Sequence, residues 1–268
     1  KETECYPYKD QSRQKGILQY LCSRICGSRL CFINGKGKKQ TFRHREKREK
    51  FAIVTVASGE GMKKLFSELG ADAVIDGGQG KNPSTEIFIE AFDAVNADDI
   101  FVLPNNGNVV MAAEQAAKEY SGSRVHVIPS KSMGDGYAAL TMLDYESGDA
   151  SAIENEMTEN MKSMTTALLS KSVRDANIND VDIKKGEYIG FVGKEMLVSD
   201  SDKIAAATEL IARAGGDERE FITVFYGEDA TDDDKKRLKE AIEKRFPNAE
   251  FYETDGGQEV YDFTFVLE

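Results

Sequence analysis

The sequence predicts an α/β protein in two lobes, with mostly parallel sheets flanked by helices. Three observations predict it. From about residue 51 onward, short apolar, β-branched runs alternate with segments whose apolar residues recur every three or four positions, the pattern of βαβ units. A strand–Gly-Glu–helix–strand unit ending in Asp-Gly-Gly-Gln occurs twice, over 53–79 and 222–258, and such an internal repeat argues for paired lobes. The charge also divides: residues 1–50 carry 14 Lys/Arg against 5 Asp/Glu, whereas 51–268 carry 21 against 42.

The elements follow in order. Residues 51–57 (FAIVTVA) form a nearly continuous apolar run, as expected of a strand buried on both faces. Met62, Leu65, Phe66 and Leu69 then mark a helix, with Gly70 as its stop. Residues 73–75 are a short strand. Ser84 is a natural helix N-cap, and Phe88, Ala91, Phe92 and Val95 give the buried stripe that follows. Strands are expected at 100–103 and 124–128, with an Ala- and Met-rich helix between them. From Ser151 a long helix is expected with Ile153, Met157, Met161, Met164 and Leu168 on one face, read as core packing. Residues 185–192 and 196–198 read as a hairpin around Gly193. Ile204, Ala207, Ile211 and Ala214 mark another helix. A strand at 221–225 leads to Thr231, which with Asp232 to Asp234 forms a strong helix start, and Leu238, Ala241, Ile242 and Phe246 form that helix's stripe. A strand at 250–253 closes the second copy.

Residues 1–47 read differently: a basic leader containing all four cysteines, expected to be poorly ordered or foreign to the fold. The spacing of Cys22, Cys26 and Cys31 fits no common zinc pattern. The first lobe is expected over 48–148 and the second over 149–268. The acidic body argues against nucleic acid as a partner. No apolar run approaches the ~18–20 residues that span a bilayer, and the expected location is the cytoplasm.

In doubly wound sheets ligands sit beyond the carboxyl ends of the strands. Four loops are expected there: 58–61, 77–85, 104–108 and 129–136. The ligand- or partner-binding candidates are Ser58, Gly59, Glu60 and Gly61; Gly78, Gln79, Asn82, Ser84 and Thr85; Asn105, Asn106 and Asn108; and Gly257 and Gln258 in the second copy. Backbone N–H groups at helix starts suit a phosphate or carboxylate. Gly and Asn also make turns with no ligand at all. No catalytic residue and no metal ligand stands out. Ser58 lies in Ala-Ser-Gly-Glu-Gly, which is not a nucleophile elbow. His126 sits inside a strand and reads as structural. No Gly-x4-Gly-Lys-Ser/Thr phosphate loop is present.

The motifs Gly78-Gln79, Asn82-Pro-Ser-Thr85, Leu103-Pro-Asn-Asn106, Met111-Ala-Ala-Glu-Gln115, Arg174-Asp175, Phe225-Tyr-Gly-Glu228 and Gly256-Gly-Gln258 with Tyr261 occur in one order. Together they resemble the C-terminal region of the ATP-binding subunit of bacterial fatty acid kinase, in the dihydroxyacetone-kinase-like family, over about 44–268. The chain departs from that pattern at Gly80-Lys81, at Gly107 and within 130–136. A fainter likeness is to the DegV-type fatty-acid-binding family, which implies a DegV-like fold. Its Ser-rich carboxylate-binding loop is Asn-rich here. The resemblance implies a non-catalytic recognition module that docks an acyl-carrying, fatty-acid-binding partner for ATP-dependent fatty acid phosphorylation. It implies ATP and Mg in a kinase domain not recognisable in this chain, no cofactor in the chain itself, and a homodimer of the full-length kinase polypeptide. The alternative is a small-ligand-binding protein for a fatty acid or a phosphorylated metabolite.

Overall fold

The computed structural model describes residues 40, 42–78, 80–141, 143–144, 148–179 and 181–268. The cysteine-containing leader therefore lies outside the described residues. The first sheet begins with β1 (Glu49–Ala57), followed by α1 (Glu60–Glu68), β2 (Ala73–Asp76), α2 (Thr85–Val95), β3 (Ala97–Leu103), α3 (Val110–Glu119) and β4 (Arg124–Val127). Its strands run in the order β2-β1-β3-β4, all parallel. The chain steps from β1 to one side, then returns past it to β3. The topological switch point, where a crevice opens at the carboxyl edge, thus lies between β1 and β3.

Helices α4 (Met133–Thr141) and α5 (Ala150–Ser163) lead into the second sheet. There follow β5 (Thr165–Lys171), the small hairpin β6 (Ala176–Ile178) and β7 (Val181–Ile183), then β8 (Tyr188–Val192), β9 (Glu195–Asp200), α6 (Lys203–Arg213), β10 (Phe221–Gly227), α7 (Asp232–Arg245), β11 (Glu250–Gln258) and β12 (Phe263–Leu267). The order is β11-β10-β12-β5-β8-β9. Strands β10 and β11 are parallel, joined through α7; the remaining neighbours are antiparallel, as short connections such as the turn at Gly193 (φ +58°) permit.

Period-2 alternation distributes the side chains over both faces of each sheet. Val54, Val56, Ile100 and Val102 face α2 and α3, whose Phe88, Phe92 and Ala113 cover them. Ile53, Phe101 and Leu103 face the opposite way, toward α1, α4 and α5. The same central core takes in Phe225 of β10 and Val266 of β12. The far side of the second sheet, with Phe263, Phe265 and Leu267, is covered by α6 and α7. One hydrophobic layer therefore joins the two sheets. Burying each such side chain contributes roughly 1.5–3 kcal/mol.

The expected stripe from Ile153 to Leu168 is not one helix. Ile153 and Met157 are buried on α5, but the helix ends at Ser163 and Met164 is extended. Leu168 belongs to β5, opposite Thr264 of β12. The β-branched pair Thr165-Thr166 favours the extended chain, and pairing with β12 decides it. Residues 40–47 hold a second difference. Gln40 donates to Val74 O (2.7 Å) and accepts from Asp76 N (2.9 Å), and Arg45 pairs with Asp72. Gln40 and Arg45, within the segment expected to be leader, are thus bound to the edge of the first sheet.

The internal repeat has chemical content. Glu60 and Lys63 are the first and fourth residues of α1, and Asp232 and Lys235 are the first and fourth of α7. Lys63 bridges Glu60 (2.6 Å) and Asp76 (3.3 Å); Lys235 bridges Asp232 (3.8 Å) and Asp255. Asp76 and Asp255 open the two Asp-Gly-Gly-Gln turns. In each copy one lysine thus ties the helix start to the end of the following strand. Burial alone would pull the Lys63 ammonium down; Glu60 and Asp76 outweigh it and leave its pKa raised. At Lys235 the Asp255 carboxylate is the main cause of the same upward shift.

Candidate functional site

A cleft opens at the switch point of the first sheet. Its first wall is Val56 and Ser58 from the end of β1, Gly77 and Gly78 after β2, and Pro104, Asn105 and Asn106 after β3. Ser132 and Met133, at the start of α4, close one side. The second sheet supplies Leu168, Glu259, Tyr261 and Thr264. Water-sized molecules find about 20 Å³ at its floor, room for one or two of them.

Asn105 adopts φ +53°, a left-handed backbone that Asn tolerates better than most residues. Its N–H donates to Ser130 Oγ (3.0 Å), and its Nδ2 donates to Thr55 Oγ1 (2.8 Å) and Val56 O (2.9 Å). Those bonds stitch the β3 loop to β1. Asn105 Oδ1 is buried without a hydrogen bond and lies against the backbone of Gly136, where an added Cβ would come within 2.2 Å of it. Asn106 differs. Its Oδ1 accepts from Asn108 N (2.9 Å), which fixes the amide's orientation. Its Nδ2 has no partner although the residue is only 3% exposed. Thr264 Oγ1 is likewise buried and unpaired. Most buried polar groups are hydrogen-bonded, so each exception calls for a reason.

The helix start at the cleft already holds a carboxylate. Asp135 accepts from Lys131 N (2.8 Å), Ser132 N (3.2 Å) and Ser132 Oγ (2.7 Å), while its own N–H donates to Ser132 Oγ (3.1 Å). This reciprocal arrangement is a capping box. On the rim, Tyr261 N donates to Glu259 O (2.9 Å) across Val260, a two-residue return characteristic of the rarer, positive-φ γ-turn. Val260 has φ +73° and is 55% exposed. For a β-branched residue that backbone is strained.

The cleft thus unites Ser58, Gly78, Asn105 and Asn106 from the expected set. Asn82 and Ser84 are exposed on the surface and Thr85 is half-buried; none of them, nor Asn108, lines the cleft. Gln79 is outside the described residues. Gly59 and Gly61 meet Gly257 and its neighbours instead of a ligand: an added Cβ at Gly61 would lie 1.7 Å from Asp255 O, and at Gly59 2.3 Å from Gly256 O. The Gly-Glu turn of the first copy is therefore seated on the Gly-Gly turn of the second. Gln258 is buried and donates from Nε2 to Phe225 O (2.8 Å). Sequence reading missed Leu168, Glu259 and Thr264. Tyr261 appeared in the motif series, but no spacing placed it opposite Asn106. His126 sits in β4 between Asp99 (2.9 Å) and Glu154 (3.1 Å), stacked on Phe101, away from the cleft. Among the described residues no group of three or more His, Cys, Asp or Glu is placed to hold a metal ion.

The profile of the FakA-like C-terminal family, which describes the C-terminal part of one fatty acid kinase component, matches residues 52–268. Protein YloV of Bacillus subtilis (strain 168) is 36% identical over 221 residues, covering 82% of this chain and 40% of that protein. The chain thus spans well under half the length of such relatives. Among solved structures, the DegV family protein Cg2579 from Corynebacterium glutamicum superposes with a TM-score of 0.60 at 15% identity, covering 82% of this chain and 97% of that one. The Streptococcus pneumoniae Fatty Acid Kinase (Fak) B3 protein loaded with linoleic acid gives 0.53 at 11% identity, covering 82% and 99%. These structural likenesses show a DegV-like fold. The match over four-fifths of the sequence settles the lineage: the chain belongs to the FakA-like C-terminal family of fatty acid kinases.

Proposed function

We propose that this chain is a non-catalytic recognition module of a fatty acid kinase, which docks the protein that carries the acyl chain. The observation that carries the reading is the size of the cleft. A DegV-like fold is retained, but the floor between its sheets offers about 20 Å³, against the roughly 300–1,000 Å³ of typical ligand pockets. A module that shares the carrier's fold without room for the cargo suits recognition of the loaded carrier. A nucleotide does not fit the cleft either. No lysine or arginine is among its described lining residues, and Glu259 stands at its mouth. ATP and Mg belong, on this reading, to a kinase domain outside this chain. Among the described residues no helix is long and apolar enough to cross a membrane, in keeping with work in the cytoplasm.

The test is a binding titration of the chain against a fatty-acid-loaded carrier protein, with Asn105, Asn106 and Gln79 substituted in turn. Saturable binding is expected. ATP hydrolysis or acyl phosphorylation by the purified chain alone would sink the proposal. The likeness to the linoleic-acid-loaded B3 protein favours a second reading, in which this chain holds a fatty acid itself. Native mass spectrometry of the purified chain decides between them, since a retained acyl mass is expected only on the second.

A further inference from the structure

Two buried polar atoms in the cleft await a partner: Asn106 Nδ2, a donor, and Thr264 Oγ1, a donor and acceptor. They come from different sheets and line one space. Leaving such groups unpaired costs about 1–3 kcal/mol each, and that cost is recovered by whatever fills the space. The charges around it decide the kind of occupant. Asp135 already occupies the start of α4. Glu60 stands in the first turn of α1, and exposed Glu259 lines the mouth. Two lysines on the adjoining segments are engaged: Lys63 on Glu60 and Asp76, and Lys81 on Asp76 at 2.6 Å. Lys131, next to Ser132, is exposed and does not line the cleft. Residues 51–268 carry twice as many acidic as basic residues. An entering anion meets carboxylates, and no cation lines the space to receive it.

We infer that the cleft is a binding site for a neutral hydrogen-bonding group, a hydroxyl or a carboxamide, and that it discriminates against carboxylates and phosphates. The group accepts from Asn106 Nδ2 and exchanges a hydrogen bond with Thr264 Oγ1. Val56, Pro104, Met133 and Leu168 form the apolar part of the wall and pack against the carbon to which that group is attached. The remainder of the ligand lies outside. This goes beyond carrier docking and stands whether or not a carrier binds. It counts against the direct holding of an ionised fatty acid at this cleft.

The experiment is a titration of the ¹⁵N-labelled chain at pH 7, following the side-chain NH₂ resonances of Asn106, with acetamide, glycerol, acetate and inorganic phosphate as probes. Acetamide or glycerol is expected to move those resonances saturably, and acetate and phosphate to leave them in place. Thr264→Val is expected to weaken the neutral probe about fivefold. Glu259→Gln, an exposed change that leaves the fold alone, is expected to improve acetate binding by a similar factor. The inference is overturned if acetate or phosphate acts as strongly as the neutral probes, if none of the four moves the resonances, or if Glu259→Gln leaves acetate unchanged.

Discussion

Val260 shows how much one residue can reveal. A valine at φ +73° pays about 1–3 kcal/mol for its backbone, and its exposed side chain recovers little by burial. Val260→Gly is therefore expected to raise stability by about 1 kcal/mol, measured as an increase in urea midpoint at unchanged slope. A loss of stability would mean that the exposed valine side chain makes a contact that matters. Asp99 gives a pH prediction. The Arg124 guanidinium, at 2.7 and 2.6 Å, and the His126 ring hold its carboxyl down to about 2 against burial, which pushes it up. The folded pKa is depressed, so its contribution is complete above the unfolded value of ~3.9 and is lost as pH falls through about 2. Asp99→Asn is expected to cost about 1–2 kcal/mol near pH 6, discounted because Arg124 is exposed. The gap between variant and parent should narrow as pH drops from 4 toward 2; a constant gap in parallel denaturant titrations would refute the ionic origin.

At the scale of elements, α7 and α1 are built on one plan but begin differently. Thr231 accepts from Asp234 N (3.1 Å) and Thr231 N donates to Asp234 Oδ2 (3.1 Å). Thr231→Ala is expected to cost about 1 kcal/mol, visible as a lowered melting temperature. In α1 the cap position is Gly59, which has no side chain to offer and instead abuts β11. Gly61→Ala places a methyl into Asp255 O and is expected to cost about 3 kcal/mol, far more than the few tenths gained from helix propensity. Elements were largely legible because each carries a local signal: Thr231-x-x-Asp234, the turn at Gly193, the stripe Phe88-Ala91-Phe92-Val95. The end of α5 was not, since apolar residues at 161, 164 and 168 satisfy a helix as well as the start of a strand. Only β12, about a hundred residues on, selects between them. The cleft was half legible for the same reason. Loops after parallel strands announce themselves, which exposed Ser58, Gly78, Asn105 and Asn106. Nothing local to Thr264 or Glu259 says which loop they face.

For the whole molecule, the shared central core is decisive. Phe225 of β10 lies in the same cluster as Ile53, Phe101 and Leu103 of the first sheet. The two sheets are thus expected to unfold together, in one calorimetric transition whose van't Hoff and measured enthalpies agree. Phe225→Ala is expected to lower that single transition by about 3–5 kcal/mol of stability. Two separated transitions, with only the second displaced, would show that the core does not couple them.

The seating of Gly59 and Gly61 on residues 255–257 also has a consequence for synthesis. Strands β1 to β4 can pair once residue 127 has left the ribosome, and domains tend to fold as they emerge. Yet the turn that opens α1 gains its final support only about 200 residues later, when β11 is made. Until then a nascent first sheet holds an unfinished edge, and a message broken shortly before its end would yield a chain whose earliest helix is the part left without a seat.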